Sequence, residues 1–122
     1  MNVELLGEAT GGLLLFLCNR LFLGLGIDGK WLVTYGGGRT HYWREPVPAT
    51  SQIHLRILND RHITTFFYSV DGQAWTRHGL RMESSGYNAN TILPGEGESL
   101  RPAIFSAGEG AVRFKNYRYH AL

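Results

Sequence analysis

Turn-forming residues recur along this chain at a spacing of roughly 8–12 residues, and short apolar stretches lie between them; that rhythm belongs to all-β sandwiches and barrels. Sixteen glycines are distributed through the sequence, and little of it reads as helix. Two Asp-Gly pairs sit between alternating segments, in Ile27-Asp28-Gly29-Lys30 and Val70-Asp71-Gly72-Gln73. Asp-Gly favours a two-residue type I′ hairpin, because both central residues need positive φ. Strands are predicted over Asn2–Leu6, Gly12–Asn19, Leu21–Gly26, Trp31–Tyr35, Thr40–Arg44, Gln52–Leu58, His62–Val70, Ala74–His78, Arg101–Ser106 and Ala111–Tyr119. The stretch from Ser84 to Ser99 carries Gly, Pro, Asn and Ser without periodicity and reads as one long loop.

A two-residue turn at Asp28-Gly29 fixes a register. It pairs Ile27 with Lys30, Gly26 with Trp31, Leu25 with Leu32, Gly24 with Val33 and Phe22 with Tyr35. One face of the hairpin then carries Leu21, Leu23, Leu25, Ile27, Leu32 and Thr34, a packing surface. The other sets Trp31 opposite a glycine, with Phe22, Val33 and Tyr35 along the same row, so that large rings lie over a flat floor suited to stacking. The same arithmetic at the second Asp-Gly pair puts Tyr68 opposite Trp75, a cross-strand aromatic pair that serves structure.

Bulk properties set bounds. A chain of 122 residues fits one domain spanning 1–122, and with 43% hydrophobic and 18% charged residues it is expected to fold. Its formal charge is +2, with Lys and Arg spread rather than gathered into a stripe, so nucleic acid is not an expected partner. The apolar run Leu13 to Leu17 follows Glu4 and Glu8, without a basic lead or a cleavage site, and does not read as a signal peptide. It is also far short of the roughly 20 residues that cross a bilayer, so a soluble protein is expected, in an undetermined compartment. The single cysteine, Cys18, reads as a small core residue.

Three blocks carry a resemblance: His54–Trp75 (HLRILNDRHITTFFYSVDGQAW), Leu80–Asn90 (LRMESSGYNAN) and Leu100–Leu122 (LRPAIFSAGEGAVRFKNYRYHAL). They are joined upstream by EATGGLLLFLCNRLFLGLGIDG, Glu8 to Gly29, and by Tyr42-Trp43-Arg44-Glu45. The ordered set resembles the C-terminal domain of family 43 β-xylosidases. That resemblance implies an antiparallel, concanavalin-like jelly-roll β-sandwich that follows a catalytic propeller and is classed as a carbohydrate-binding module for xylan-type ligands. It implies a non-catalytic accessory domain whose partners are xylan or xylo-oligosaccharide and the catalytic glycoside hydrolase domain. Relatives have further strands ahead of the position of Met1, so the jelly roll is expected to be truncated at its N-terminus. An unpaired edge invites strand-mediated association, and a homo-oligomer stands beside the monomer as an expectation. Relatives also carry a glycine-phenylalanine turn associated with the propeller's active site. Here Asn90 to Ser99 reads NTILPGEGES, and that role does not transfer.

Sugar rings present C–H faces that pack on aromatic planes, and their hydroxyls need directed donors and acceptors. Trp31, Tyr35, Tyr42 and Trp43 are the aromatic candidates, with Tyr87, Asn88 and Asn90 at the rim of the long loop. Core packing or loop-backbone bonding is the alternative role for each. Glycosidic hydrolysis needs two carboxyl groups about 5–10 Å apart across the sugar. Asp28 and Asp71 are accounted for by turns, and Glu96, Glu98 and Glu109 sit in solvated glycine-rich segments, so no catalytic residue is expected. Gly36-Gly37-Gly38 opens no helix and is no phosphate cradle. His41, His54, His62, His78 and His120 lack ligand spacing, and no metal or other cofactor is expected; the fold type leaves room for a structural calcium that no segment specifies. Ser69 to Trp75 resembles a degenerate Asp-box, ordinarily a turn motif. A structural domain that packs on a propeller or on itself, without sugar affinity, is the alternative to a binding module.

Overall fold

The computed structural model describes residues 1–29, 31–37, 39–46, 52–84 and 100–120, with 39–45 described by their backbone alone. Ten strands make up the described chain: β1 (Asn2–Leu6), β2 (Ala9–Cys18), β3 (Leu21–Asp28), β4 (Trp31–Gly36), β5 (Arg39–Pro46), β6 (Gln52–Asp60), β7 (Ile63–Ser69), β8 (Thr76–Glu83), β9 (Arg101–Gly108) and β10 (Ala111–Lys115). They form two five-stranded antiparallel sheets. The first runs β10-β1-β6-β7-β8 and the second β5-β4-β3-β2-β9. The all-β sandwich expected from the turn spacing is therefore present, and each predicted strand has its counterpart. β10 stops at Lys115 rather than running on to Tyr119, because Asn116 adopts a φ of 59° that takes the chain out of the extended conformation. Among the described residues there is no helix long and apolar enough to cross a membrane.

The alternation read from the sequence places the core. Val3, Leu23, Leu25, Ile27, Leu32, Ile53, Leu55 and Phe66 form one buried cluster between the sheets. Ile53 and Leu55 of β6 enter it from the first sheet, and Leu23, Leu25 and Ile27 of β3 meet them from the second. Thr34 is fully buried on the same side as Leu32. Cys18 is buried, as expected of a small core residue.

The hairpin register differs from the sequence expectation. Asp28 pairs with Trp31, Ile27 with Leu32, Gly26 with Val33, Leu25 with Thr34 and Gly24 with Tyr35. The turn thus starts at Gly29, whose φ is +61°, one residue later than the Asp-Gly dipeptide suggests. Asp28 is held in the strand by its cross-strand neighbour, since the Thr10 hydroxyl donates to the Asp28 carboxylate at 3.1 Å and Thr10 pairs with Asp28 across β2 and β3. Every partner moves by two residues, and a shift of two leaves the faces unchanged. The aliphatic face is therefore as expected, whereas Trp31 stands opposite Asp28 and not Gly26.

The second Asp-Gly pair does not form a two-residue turn. Tyr68 pairs with Thr76, leaving residues 70–75 as the connection and Trp75 outside the cross-strand pair expected with Tyr68. The cause is the Asp71 carboxylate, which accepts from the Gln73 and Ala74 backbone N–H groups at 2.8 and 3.0 Å and from the Ser69 hydroxyl at 3.1 Å. The Ser69 hydroxyl oxygen in turn accepts from the Gly72 N–H at 2.8 Å. These bonds build a longer turn around one side chain. They also hold the Asp71 carboxyl below the usual carboxylate range, chiefly through the Ala74 and Gln73 N–H groups.

Candidate functional site

Register defines which side chains share the outward face of the second sheet. Across it lie Gly12, Leu14 and Phe16 from β2, Phe22, Gly24 and Gly26 from β3, Trp31, Val33 and Tyr35 from β4, and Arg101, Ala103 and Phe105 from β9. The middle of this face is nearly bare of side chain. A Cβ at Gly12 or Gly24 would collide with the backbone of the adjacent strand, and one at Gly26 would stand 3.0 Å from the Phe105 ring.

Aromatic rings close over that floor. Phe16 stacks on Phe22 with centroids 6.1 Å apart, Phe22 meets Tyr35 at 6.3 Å, and Tyr35 meets Phe105 edge to face at 5.3 Å. β4 and β9 are separated by β3 and β2, so their backbones are about 14 Å apart at ordinary strand spacing. The two rings reach each other by leaning inward over the glycines. The Arg101 guanidinium lies 5.7 Å from the Phe16 ring and ends the row with a cation. Burial among these rings, with the nearby Asp28 carboxylate adding to it, pushes the Tyr35 hydroxyl up to about 12. Tyr35 is thus a neutral phenol at any physiological pH, able to donate and accept a hydrogen bond.

Trp31 has a different place on the same face. It lies at the hairpin end of β4, between Asp28 and Pro46 in register, and is 43% exposed. Tyr42 and Trp43 belong to β5, the edge strand beside β4, and their side chains lie outside the described residues. Tyr87, Asn88 and Asn90 lie outside them altogether. The structure therefore brings Trp31 and Tyr35 onto one face and supplies Phe16, Phe22 and Phe105 as their neighbours. Sequence alternation carries Phe22 to that row. Nothing local marks Phe105, whose contact is made across two intervening strands.

The outward face of the first sheet holds a second aromatic group. Trp75 turns onto β6, where the Arg56 guanidinium sits 4.0 Å from its ring centroid and His54 meets it edge on at 6.3 Å. His54 is also within 3.4 Å of the Asn2 amide. Asp28 and Asp71 are both engaged by the hydrogen bonds described above. Among the described residues, no cluster of three or more His, Cys, Asp or Glu side chains could hold a metal ion.

Comparison with known proteins places this two-sheet sandwich. No protein-family model matches the chain, and no curated protein sequence matches it. Among solved structures it is similar to the GH43 BlXynB protein from Bacillus licheniformis, with a TM-score of 0.75 and 13% identity over 91% of this chain and 24% of that one. It is similar to a xylan β-1,4-xylosidase from Bacillus halodurans, with a TM-score of 0.66 and 12% identity over 86% of this chain and 24% of that one. A bifunctional GH43-CE protein from Bacteroides eggerthii matches with a TM-score of 0.62 and 21% identity, over 91% of this chain and 16% of that one. At these identities the likeness shows the fold. The antiparallel two-sheet β-sandwich implied by the sequence resemblance is accordingly the fold found. The chain spans about a quarter or less of the length of the enzymes it matches.

Proposed function

We propose that this domain is a non-catalytic accessory module of a β-xylosidase-type glycoside hydrolase and that it binds xylan or xylo-oligosaccharide on the outward face of its second sheet. The observation that carries this reading is Trp31, a large ring 43% exposed on the face where Tyr35, Phe22, Phe16 and Phe105 are already gathered. An exposed indole offers a sugar ring a flat apolar partner, and the Tyr35 phenol and Arg101 guanidinium offer directed polar contacts along the same row. Tyr42 and Trp43 on β5, and Tyr87, Asn88 and Asn90 on the long loop, remain proposed contributors on the grounds given by the sequence. Such a module raises the concentration of a tethered enzyme at its substrate, so weak affinity suffices. Two points support an accessory role: the fold likeness to chains of which this one covers 16–24%, and the engagement of Asp28 and Asp71 in structural hydrogen bonds.

A structural or interface domain is the second reading, and Ile104 favours it. This residue is 47% exposed on β9, an edge strand of the second sheet, where a packed partner would cover it. Retention on insoluble xylan separates the two. Binding that Trp31→Ala removes from a folded chain supports the module; no retention of the unmodified chain at any ionic strength supports the interface.

A further inference from the structure

The outward face of the second sheet carries its charges at its two ends. Asp28 and Thr10 share a rung with Trp31 at one end, and Phe22, Phe16 and Arg101 share the rung at the other. Across β2, β3, β4 and β9 the two rungs between them hold no charged side chain. Rungs on one face recur at every second residue, about 6.8 Å along a strand, so the two ends stand about 20 Å apart. The anion and the cation differ in what they already do. The Asp28 carboxylate accepts from the Thr10 hydroxyl at 3.1 Å. Arg101 is exposed and lies over the Phe16 ring, 5.7 Å from its centroid, and among the described residues no carboxylate pairs with it. A guanidinium carries five N–H donors, and contact with a ring leaves donors for a second partner.

Arg101 borders a cavity of about 500 Å³, lined also by Phe16, Leu17, Cys18, Asn19 and Arg20. The register of β2 against β3 shifts between Phe16 and Cys18, a bulge of the kind that re-aims side chains at the end of a strand. Leu17 and Cys18 are both buried, so β2 presents no exposed side chain between Phe16 and Asn19. The aromatic row therefore runs out into the cavity. Both charged groups on the cavity wall are guanidinium ions, and among the described residues no carboxylate lines it. Neutral sugar hydroxyls call for donors and acceptors together, whereas a wall of this kind favours an acceptor that carries negative charge. The parallel N–H groups of a guanidinium match the two oxygens of a carboxylate.

We propose that this face selects acidic over neutral xylo-oligosaccharides, an inference that rests on its reading as a sugar site: the sugar backbone follows the aromatic row from Trp31, and the carboxylate of a uronic acid substituent enters the cavity and pairs with Arg101. The placement of charge also gives the ligand a direction. Asp28 repels an acidic substituent at the Trp31 end, and Arg101 attracts it at the other. At about 20 Å the two side chains stand well beyond the screening length of about 8 Å at physiological ionic strength, so each acts on the ligand by itself. Arg101 is then the residue that reads the substituent, while the rings read the sugar faces.

The probes are xylotetraose, the same sugar bearing one glucuronic acid, and the methyl ester of that acid, each titrated into the whole chain at low ionic strength and followed by NMR. The acidic sugar should bind about fivefold tighter than xylotetraose, the upper range for an exposed ion pair, and the ester no tighter than xylotetraose. The Arg101 Nε–H signal should move with the acidic sugar and not with the other two, and added salt should shrink the preference. Arg101→Gln should bring the acidic-to-neutral affinity ratio to about one and Arg101→Glu below one, whatever either does to the neutral affinity. That ratio is the readout because a merely structural role would change both affinities together. The proposal is overturned by equal binding of acidic and neutral sugar, by equal binding of acid and ester, or by a preference that survives Arg101→Gln. It is also overturned by shifts centred on Arg56 and Trp75 of the other sheet, or by free glucuronate moving Arg101 as strongly as the acidic sugar does. Equal binding of acidic and neutral sugar leaves the sugar-site reading standing, whereas no binding of either overturns both.

Discussion

Trp31 and Trp75 occupy the outward faces of the two sheets, and their surroundings set them apart. Trp75 is half-buried, with a guanidinium on one face of its ring and an imidazole against its edge, so the protein itself uses the surface that a ligand would need. Trp31 is 43% exposed and, among the described residues, stands outside the ring contacts that join Phe16, Phe22, Tyr35 and Phe105 on the same face. The difference lies in the floor. Glycines at 12, 24 and 26 remove side-chain volume from the second sheet, which lets Tyr35 and Phe105 close over it and makes that face a continuous apolar shelf. The first sheet has charged and polar side chains there, Arg56, His54 and Gln52, and its single indole is absorbed into them.

The largest expected effect comes from filling the floor. Gly26→Val places a Cβ 2.8 Å from the Gly11 carbonyl and 3.0 Å from Phe105, and overpacking of this kind should cost about 1–3 kcal/mol. Denaturant midpoints measure the loss, and weakened ring-current shifts at Tyr35 would show the shelf opening. Next in size is the contrast between the tryptophans. Trp31→Ala should lower xylo-oligosaccharide affinity by about tenfold, or 1.4 kcal/mol, with stability changed by no more than about 0.5 kcal/mol. Trp75→Ala should do the reverse, costing about 1–2 kcal/mol of stability through the lost stacking and burial and leaving sugar affinity unchanged. Equal behaviour of the two variants in both assays would erase the distinction between the faces. The smallest effect is a pH dependence at the 70–75 turn. Asp71 has a carboxyl held below its ordinary value of 3.8, so its stabilising contribution is complete above that pH and is lost as the pH falls through the lower folded value. Asp71→Asn should remove that acid-side loss, read as a flatter dependence of the unfolding midpoint as the pH is lowered below 3.8.

How much of this was legible in the sequence depends on the range of the interaction. Turn spacing and period-two alternation are local, and they place the strands and both faces of β3 and β4. Register is less local. The Asp28-Gly29 dipeptide promises a turn one residue too early because Thr10, on β2, draws Asp28 into the sheet. The second dipeptide misleads for another reason: the Asp71 carboxylate satisfies three donors and builds a longer turn than the dipeptide rule allows. The resemblance to an Asp-box pointed to that turn-building role where the hairpin rule did not. The meeting of Tyr35 with Phe105 is the least legible of all, since their strands are adjacent neither in sequence nor in the sheet. On the candidate site, the sequence places Trp31 and Tyr35 on a shared face. Their ring neighbours follow only from the topology.

The most direct test of the central claim is a two-dimensional amide NMR titration of the chain with xylohexaose. Sugar binding on the second sheet predicts dose-dependent shifts at the Trp31 indole and along β4, with the Trp75 indole unmoved. A folded, dispersed spectrum in which neither indole moves at millimolar sugar, or in which Trp75 moves and Trp31 does not, would contradict it.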